Sequence, residues 1–295
     1  MPGDSNRGAG SPGTDAGAER LDETRWLEVC RRVVEAQREL FARQPGIAER
    51  TVYEGVGEGG DMALEIDRRC EDIVFAELEA LHAEGHEFTA VSEERGEVAF
   101  GADQPDARVV IDPIDGSLNA RRTIPAHCLS IAVASGDSMA DVDFAYVYDF
   151  GASEEFSATR GEGARLNGAP LRAEGPGHGI EVVGLESAEP GAILPVIDRL
   201  RGKAFRVRSV GAIAISLAYV AAGRFDGMLT AWRCRSVDAA GGQLIAREAG
   251  AMVEFEHLDL GAASLGLDAR YRVAAGLDPD ALELMRAAQG PEPAR

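Results

Sequence analysis

The sequence predicts a mixed α/β protein, with an α+β N-terminal half and an α/β C-terminal half. Three observations predict it. Two amphipathic helical stripes open the ordered chain, and a run of short strand-like segments follows. After "EGPGHG", near residue 175, the texture changes to alternating strands and helices. The length of 295 residues suits one large or two medium domains, and no internal repeat is visible.

Taken in order, residues 1–20 ("MPGDSNRGAGSPGTDAGAER") are rich in Gly, Ser, Pro and Asp and read as a disordered tail. They lack the basic start and apolar stretch of a secretory signal. "TRWLEVCRRVVEAQRELFARQ" places Trp26, Cys30, Val33, Val34, Gln37, Leu40 and Phe41 on one helical face that ends before Pro45. The loop "YEGVGEGGD" follows, without the GxGxxG spacing of a nucleotide site. "DMALEIDRRCEDIVFAELEALHAEG" is a second helix, with Ile66, Cys70, Ile73, Val74, Glu77, Leu78 and Leu81 on its stripe and Gly85 as its stop. His82 and His86 read as a solvated helix end rather than a metal pair.

Strands are expected at "FTAVS", "RVVID", "LSIAVAS", "DVDFAYVYD" and "EEFSATR", then a hairpin in "GEGARLNGAPLRA". Beyond the change of texture come strand "IEVVGLES", a helix over Gly191 to Arg201, strand "AFRVRS" and the apolar helix "GAIAISLAYVAAG". Strand "FDGMLTAW", helix "SVDAAGGQLIAREAGA" and a late strand "RYRVAAG" complete the series. The expected divisions are a tail over 1–20, an α+β domain over 21–174, an α/β domain over 175–288 and a loose tail over 289–295.

Composition narrows the function. The hydrophobic share of 45% supports a core, and no run of about 18 apolar residues is present to span a membrane. A net charge of −20 argues against a nucleic-acid polymer as partner. Cys30, Cys70, Cys128 and Cys234 form no CxxC pair, so neither zinc nor a disulfide framework is expected, and a cytoplasmic location fits.

The chemistry is concentrated in "IDPIDGS". Asp112 ends an apolar run, Pro113 cannot donate to a ladder, and Asp115 lies one turn on. Asp-Pro and Asp-Gly are turn formers, so a simple turn explains the pattern. A magnesium site explains it as well, because Mg²⁺ takes carboxylate and carbonyl oxygens and keeps waters that a phosphate can replace. Glu93 and Glu94 in "AVSEERG" read alone as a solvated turn.

The ordered set "DxxLEID", "SEE", "DPIDGS", "GEGARLNGAPL", "RSVGAIAISLAYVAAGRFDG" and "VDAAGGQLIAREAGA" resembles the inositol monophosphatase superfamily of Mg²⁺-dependent, lithium-sensitive phosphatases. The resemblance covers roughly residues 22–285. It implies a layered αβαβα sandwich of the sugar-phosphatase type, two to three Mg²⁺ ions, and commonly a homodimer. It implies that Glu93, Asp112, Asp115, Asp238 and the Ile114 carbonyl bind metal, with Asp112 shared between two ions. It also implies that Asp67 and Ser117 orient the attacking water, and that the Gly116 and Ser117 N–H groups hold phosphate.

Two departures stand out. Val237 replaces the tryptophan that often precedes the late metal-binding aspartate. No acid lies between Gly227 and Val237, where inositol-specific members carry a glutamate; Arg233 and Arg235 stand there instead. The pattern looks more like the branch that also hydrolyses fructose 1,6-bisphosphate, in which Arg233, Arg235, Arg121 or Arg122 would meet a second phosphate. All four also suit an ordinary surface balancing an acidic protein. The expected function is hydrolysis of inositol monophosphate or a similar small polyol or sugar phosphate by metal-activated water. Fructose 1,6-bisphosphatase, 3′,5′-bisphosphate nucleotidase and a non-catalytic binding role are the alternatives.

Overall fold

The computed structural model describes residues 22–56, 62–101, 105–177, 179–187, 189–256 and 258–291. The expected N-terminal tail and the glycine-rich stretch 57–61 lie outside them.

Helix α1 (Glu23–Arg43) begins where the Asp22 carboxylate accepts the Arg25 N–H at 2.8 Å, and it stops just before Pro45. Its buried stripe includes Trp26, Val29, Val33, Leu40 and Phe41. A short α2 (Ile47–Arg50) leads to an antiparallel hairpin of β1 (Tyr53–Val56) and β2 (Met62–Leu64), then α3 (Glu65–Ala83). The sequence reading started this helix at Asp61. Met62–Leu64 are strand instead, because pairing with β1 satisfies their backbone.

The first large sheet comprises β3 (Phe88–Ser92), β4 (Gly96–Phe100), β5 (Arg108–Asp115), β6 (Cys128–Ala134), β7 (Val142–Asp149), β8 (Glu154–Thr159), β9 (Gly163–Leu166) and β10 (Ala169–Leu171). Its order is β10-β9-β8-β7-β6-β5-β3-β4, antiparallel except for the β3/β5 pair. A one-turn helix, α3′s successor α4 (Ser117–Arg121), follows β5. β4 was not anticipated; its burial pattern of two buried ends around an exposed centre gives little apolar signal.

The C-terminal half contains β11 (Val182–Glu186), α5 (Pro190–Leu200), β12 (Arg206–Arg208), α6 (Ile213–Ala221), β13 (Gly227–Thr230), β14 (Cys234–Arg235) and α7 (Ser236–Glu248). After these come β15 (Met252–Phe255), β16 (Arg270–Tyr271), β17 (Val273–Gly276) and α8 (Pro279–Gln289). The second large sheet has the order β12-β11-β13-β17-β15. The expected late strand is thus split at Arg272, with β16 pairing β14 and β17 joining the five-stranded sheet. Gln289, expected in a loose tail, is the last residue of α8. Its side-chain amide donates to Thr230 O at 3.2 Å and Val273 O at 2.8 Å.

The layers stack as the family resemblance implies. α1 and α3 cover the outer face of the eight-stranded sheet, α6 and α7 lie between the sheets, and α5 and α8 cover the far face. Trp26, Val33, Phe75, Leu78, Ile111, Ile131 and Tyr146 fill the first interface. Val110, Ala132, Ala214, Leu217, Leu244 and Ile245 fill the middle. The four cysteines are buried free thiols. Among the described residues no helix is long and apolar enough to cross a membrane.

Small residues let α7 approach both neighbours. A Cβ on Gly241 would sit 2.7 Å from Ser130 Oγ of β6, and one on Gly242 would sit 2.8 Å from Leu217 Cβ of α6. Gly242→Val is therefore expected to destabilise the fold by about 1–3 kcal/mol, the usual cost of overpacking. Thermal unfolding checks this, and an unchanged Tm would contradict it.

Candidate metal centre

The site begins with a change of phase in β5. Val109 and Ile111 face α1 and α3, while Val110 faces the middle layer. Alternation then points Asp112 inward. In a regular strand Asp115, three residues on, would point outward. Against β6, however, Asp112 lies opposite Ser130 and Asp115 opposite Cys128, so three steps on one strand match two on the other. This is a one-residue bulge, and it turns Asp115 to the same side as Asp112. Ile114 goes the other way and packs with Leu40, Phe41, Ile66 and Cys70. Pro113 suits the bulge because it has no N–H to place in the ladder. Its carbonyl accepts from buried Gln37 of α1 at 3.1 Å.

Helix N-termini bring the partners. The Ala214 N–H, at the start of α6, donates to Asp115 Oδ2 at 2.6 Å. Asp238, in the first turn of α7, accepts the Arg235 N–H at 2.8 Å. Both positions favour a carboxylate. Glu93 sits in the turn after β3. That turn is fastened from below by Glu71 of α3, which is fully buried; its Oε1 accepts from Ser92 Oγ and from the Arg95 N–H at 3.1 Å.

The result is that Glu93, Asp112 and Asp238 each present an oxygen within 4.8 Å of the others. Asp67, Glu93, Glu94, Asp112, Pro113, Ile114 and Ser117 line one small cavity of ≈ 20 Å³, about enough for a single water. Asp115 borders the cluster with one oxygen held by α6. Gly116 has φ 83°, and a Cβ there would meet Ala126 O at 2.8 Å and Gly211 O at 3.1 Å. Arg235 forms an ion pair with Glu93. Arg233 lies outside the cluster and pairs with Glu256 at 3.1 Å, an acid it shares with Arg272. Among the described residues, Arg121 and Arg122 show no ion pair. A larger cavity of ≈ 400 Å³ lies at the opposite end of the sheet, under Trp26 and Phe144, away from these acids.

Three supporting residues escaped the sequence reading. Gln37 lies within an apolar stripe, which hides its polar role. Glu71 carries a signal, a buried-stripe acid one turn after Asp67. Glu186 carries none; it ends β11 and accepts from the Val210 and Gly211 N–H groups at 2.9 and 2.8 Å and from Ser216 Oγ at 2.7 Å, which fixes the start of α6.

Burial, and then mutual repulsion, raise these acids. Asp112 is pushed well above the usual carboxylate range by burial and by the charges of Asp115 and Asp238. Burial and the Asp238 charge raise Asp115 to about 8, against the opposing pull of the Ala214 N–H. Burial raises Asp238 to about 6, with the Arg235 N–H and charge acting the other way. Carboxylates packed this way need a cation to stay ionised together. The donor set is all oxygen, with no histidine or cysteine in the cluster, and it fits a hard divalent ion.

Two outcomes follow from this geometry. Glu71→Ala is expected to weaken divalent-metal binding by about tenfold or more, as loss of a ligand's support commonly does; calorimetric titration reads it, and unchanged affinity would refute the role. The raised acids bind protons more tightly folded than unfolded. In chelator their stabilising contribution is full below about pH 4 and is lost as pH rises through about 6 and about 8. Asp115→Asn keeps an acceptor for Ala214 and removes one such acid. It should gain stability over the wild type between pH 5 and pH 8 in chelator, measured by thermal unfolding. A constant difference across that range would contradict the assignment.

The chain matches the model of the inositol monophosphatase family over residues 24–284. It is 33% identical over 273 residues to a fructose-1,6-bisphosphatase/inositol-1-monophosphatase of Archaeoglobus fulgidus, covering 90% of this chain and 100% of the relative. The protein of the same description from Thermococcus kodakarensis is 32% identical over 235 residues, 79% of this chain and 85% of the relative. A solved inositol monophosphatase–fructose 1,6-bisphosphatase superposes with a TM-score of 0.74 at 26% identity, covering 89% of this chain and 99% of that one. With its five-layer fold and carboxylate cluster, the chain belongs to the inositol monophosphatase family and is a phosphoric monoester hydrolase.

Proposed function

We propose that this protein is a Mg²⁺-dependent phosphatase of small polyol or sugar phosphates, working in the cytoplasm, commonly as a dimer in this family. The observation that carries the reading is the convergence of Glu93, Asp112 and Asp238 beside a cavity also lined by Asp67 and Ser117. The net charge of −20 supports a small substrate rather than a nucleic-acid polymer.

In this reading Glu93, Asp112 and the Ile114 carbonyl would hold one ion, and Asp112, Asp115 and Asp238 would hold another. Bound Mg²⁺ supplies the positive charge that lets a dianionic phosphate enter an acidic site and lowers the pKa of the attacking water. Asp67 and Ser117 would orient that water, with the Asp67 carboxylate taking its proton. The Gly116 and Ser117 N–H groups, at the turn that Gly116 alone can make, hold phosphate oxygens. A bond would form from water oxygen to phosphorus as the ester P–O bond breaks in line, the leaving oxygen taking a proton from solvent water and Asp67 returning its proton to solvent.

A second reading, turnover of a sugar bisphosphate, is favoured by one observation. Arg121 and Arg122 follow Ser117 by about one turn, and neither shows an acid partner among the described residues. Either could meet a second phosphate in forked geometry, whereas Arg233 is engaged by Glu256.

The test is phosphate release from inositol 1-phosphate, fructose 1,6-bisphosphate and adenosine 3′,5′-bisphosphate, with and without Mg²⁺. Mg²⁺-dependent release is expected, and Asp112→Ala should lower kcat by roughly a hundredfold or more. Full activity in Asp112→Ala would sink the assignment. A bisphosphate preference lost in Arg121→Ala/Arg122→Ala would support the second reading, and an unchanged preference would remove it.

A further inference from the structure

One residue touches both sides of the carboxylate cluster. The main-chain N–H of Arg235 donates to Asp238 Oδ2 at 2.8 Å, while its guanidinium pairs with Glu93 Oε1. The pair is shielded, with the arginine side chain 13% and the glutamate 26% exposed. Arg235 therefore acts as a resident monocation on an acid that, in the function proposed above, is a metal ligand.

Resting on that reading, we propose that Arg235 competes with the divalent ion for Glu93, so that the ion binds by displacing the guanidinium, which then turns to the substrate phosphate. Three features support this. The main-chain bond to Asp238 does not involve the side chain, so the guanidinium can leave Glu93 while the start of α7 stays in place. The side chain is long, and a guanidinium takes a phosphate in the same forked geometry as a carboxylate. The charges also require it: a guanidinium left against Glu93 sits within a few ångströms of a dication and repels it.

The opposite role is that of a clamp, in which Arg235 orients Glu93 for the metal and helps it bind. The two roles differ in sign. Removing a competing charge raises metal affinity, by about tenfold even under water-like screening. Removing a support lowers it by about ten- to a hundredfold.

The deciding experiment is calorimetric titration of Mg²⁺ into the full chain in phosphate-free buffer, for the wild type, Arg235→Met and Arg235→Lys. Arg235→Gln replaces the methionine variant if that one does not fold. The expected result is Mg²⁺ binding about tenfold tighter in Arg235→Met and close to wild type in Arg235→Lys. Inorganic phosphate, titrated with saturating Mg²⁺, should bind Arg235→Met more weakly than wild type. Equal or weaker Mg²⁺ binding in Arg235→Met overturns the competition and leaves the phosphatase reading standing. No Mg²⁺ binding by either protein overturns both.

Discussion

The site depends on one extra residue in one strand. Without the bulge between Asp112 and Asp115, alternation would place those two carboxylates on opposite faces of the eight-stranded sheet. One would meet α7 and the other would be buried against α1 and α3, among Leu40, Phe41 and Ile66. The bulge gives that apolar place to Ile114 and turns both acids to the middle layer. Pro113 makes it inexpensive by contributing no donor, and Gln37 secures the carbonyl that the distortion leaves over.

Everything else brings matching groups to that edge. The middle layer is where two helices can begin against the sheet, and their first turns supply the Ala214 N–H to Asp115 and Asp238 to the cluster. Gly241 and Gly242 let α7 come close enough for this. On the other flank, Glu71 ties the turn that carries Glu93 to the outer helix. The acids are thus buried and crowded by the backbone, and their raised pKa values express the burial first and the crowding second. The fold spends stability on a site that a divalent cation would repay.

Much of this was legible in the sequence, for definite reasons. The α1 stripe from Trp26 to Phe41 and the apolar run of α6 have the helical period, and "RVVID" and "LSIAVAS" have the composition of buried strands. Met62–Leu64 misled because a short strand entering a helix shares the helix's apolar residues, and only pairing with β1 separates them. β4 and β15 were missed because each is short and mixes exposed with buried positions. At the site, the acids of "IDPIDGS" were readable, but the sense of the bulge was not, since it depends on register against β6. Arg233 and Arg235 look equivalent in the sequence. Their different partners, Glu256 and Glu93, follow from where the chain breaks: Arg233 lies before β14, whereas Arg235 ends it at the start of α7.

The most direct test of this account is a crystal structure of the protein grown with Mn²⁺, with anomalous scattering used to locate the ions. The account predicts one ion ligated by both Glu93 and Asp112 and a second ligated by Asp112 with Asp115 or Asp238. Ions bound elsewhere, or an Asp112 carboxylate that touches none, would contradict it.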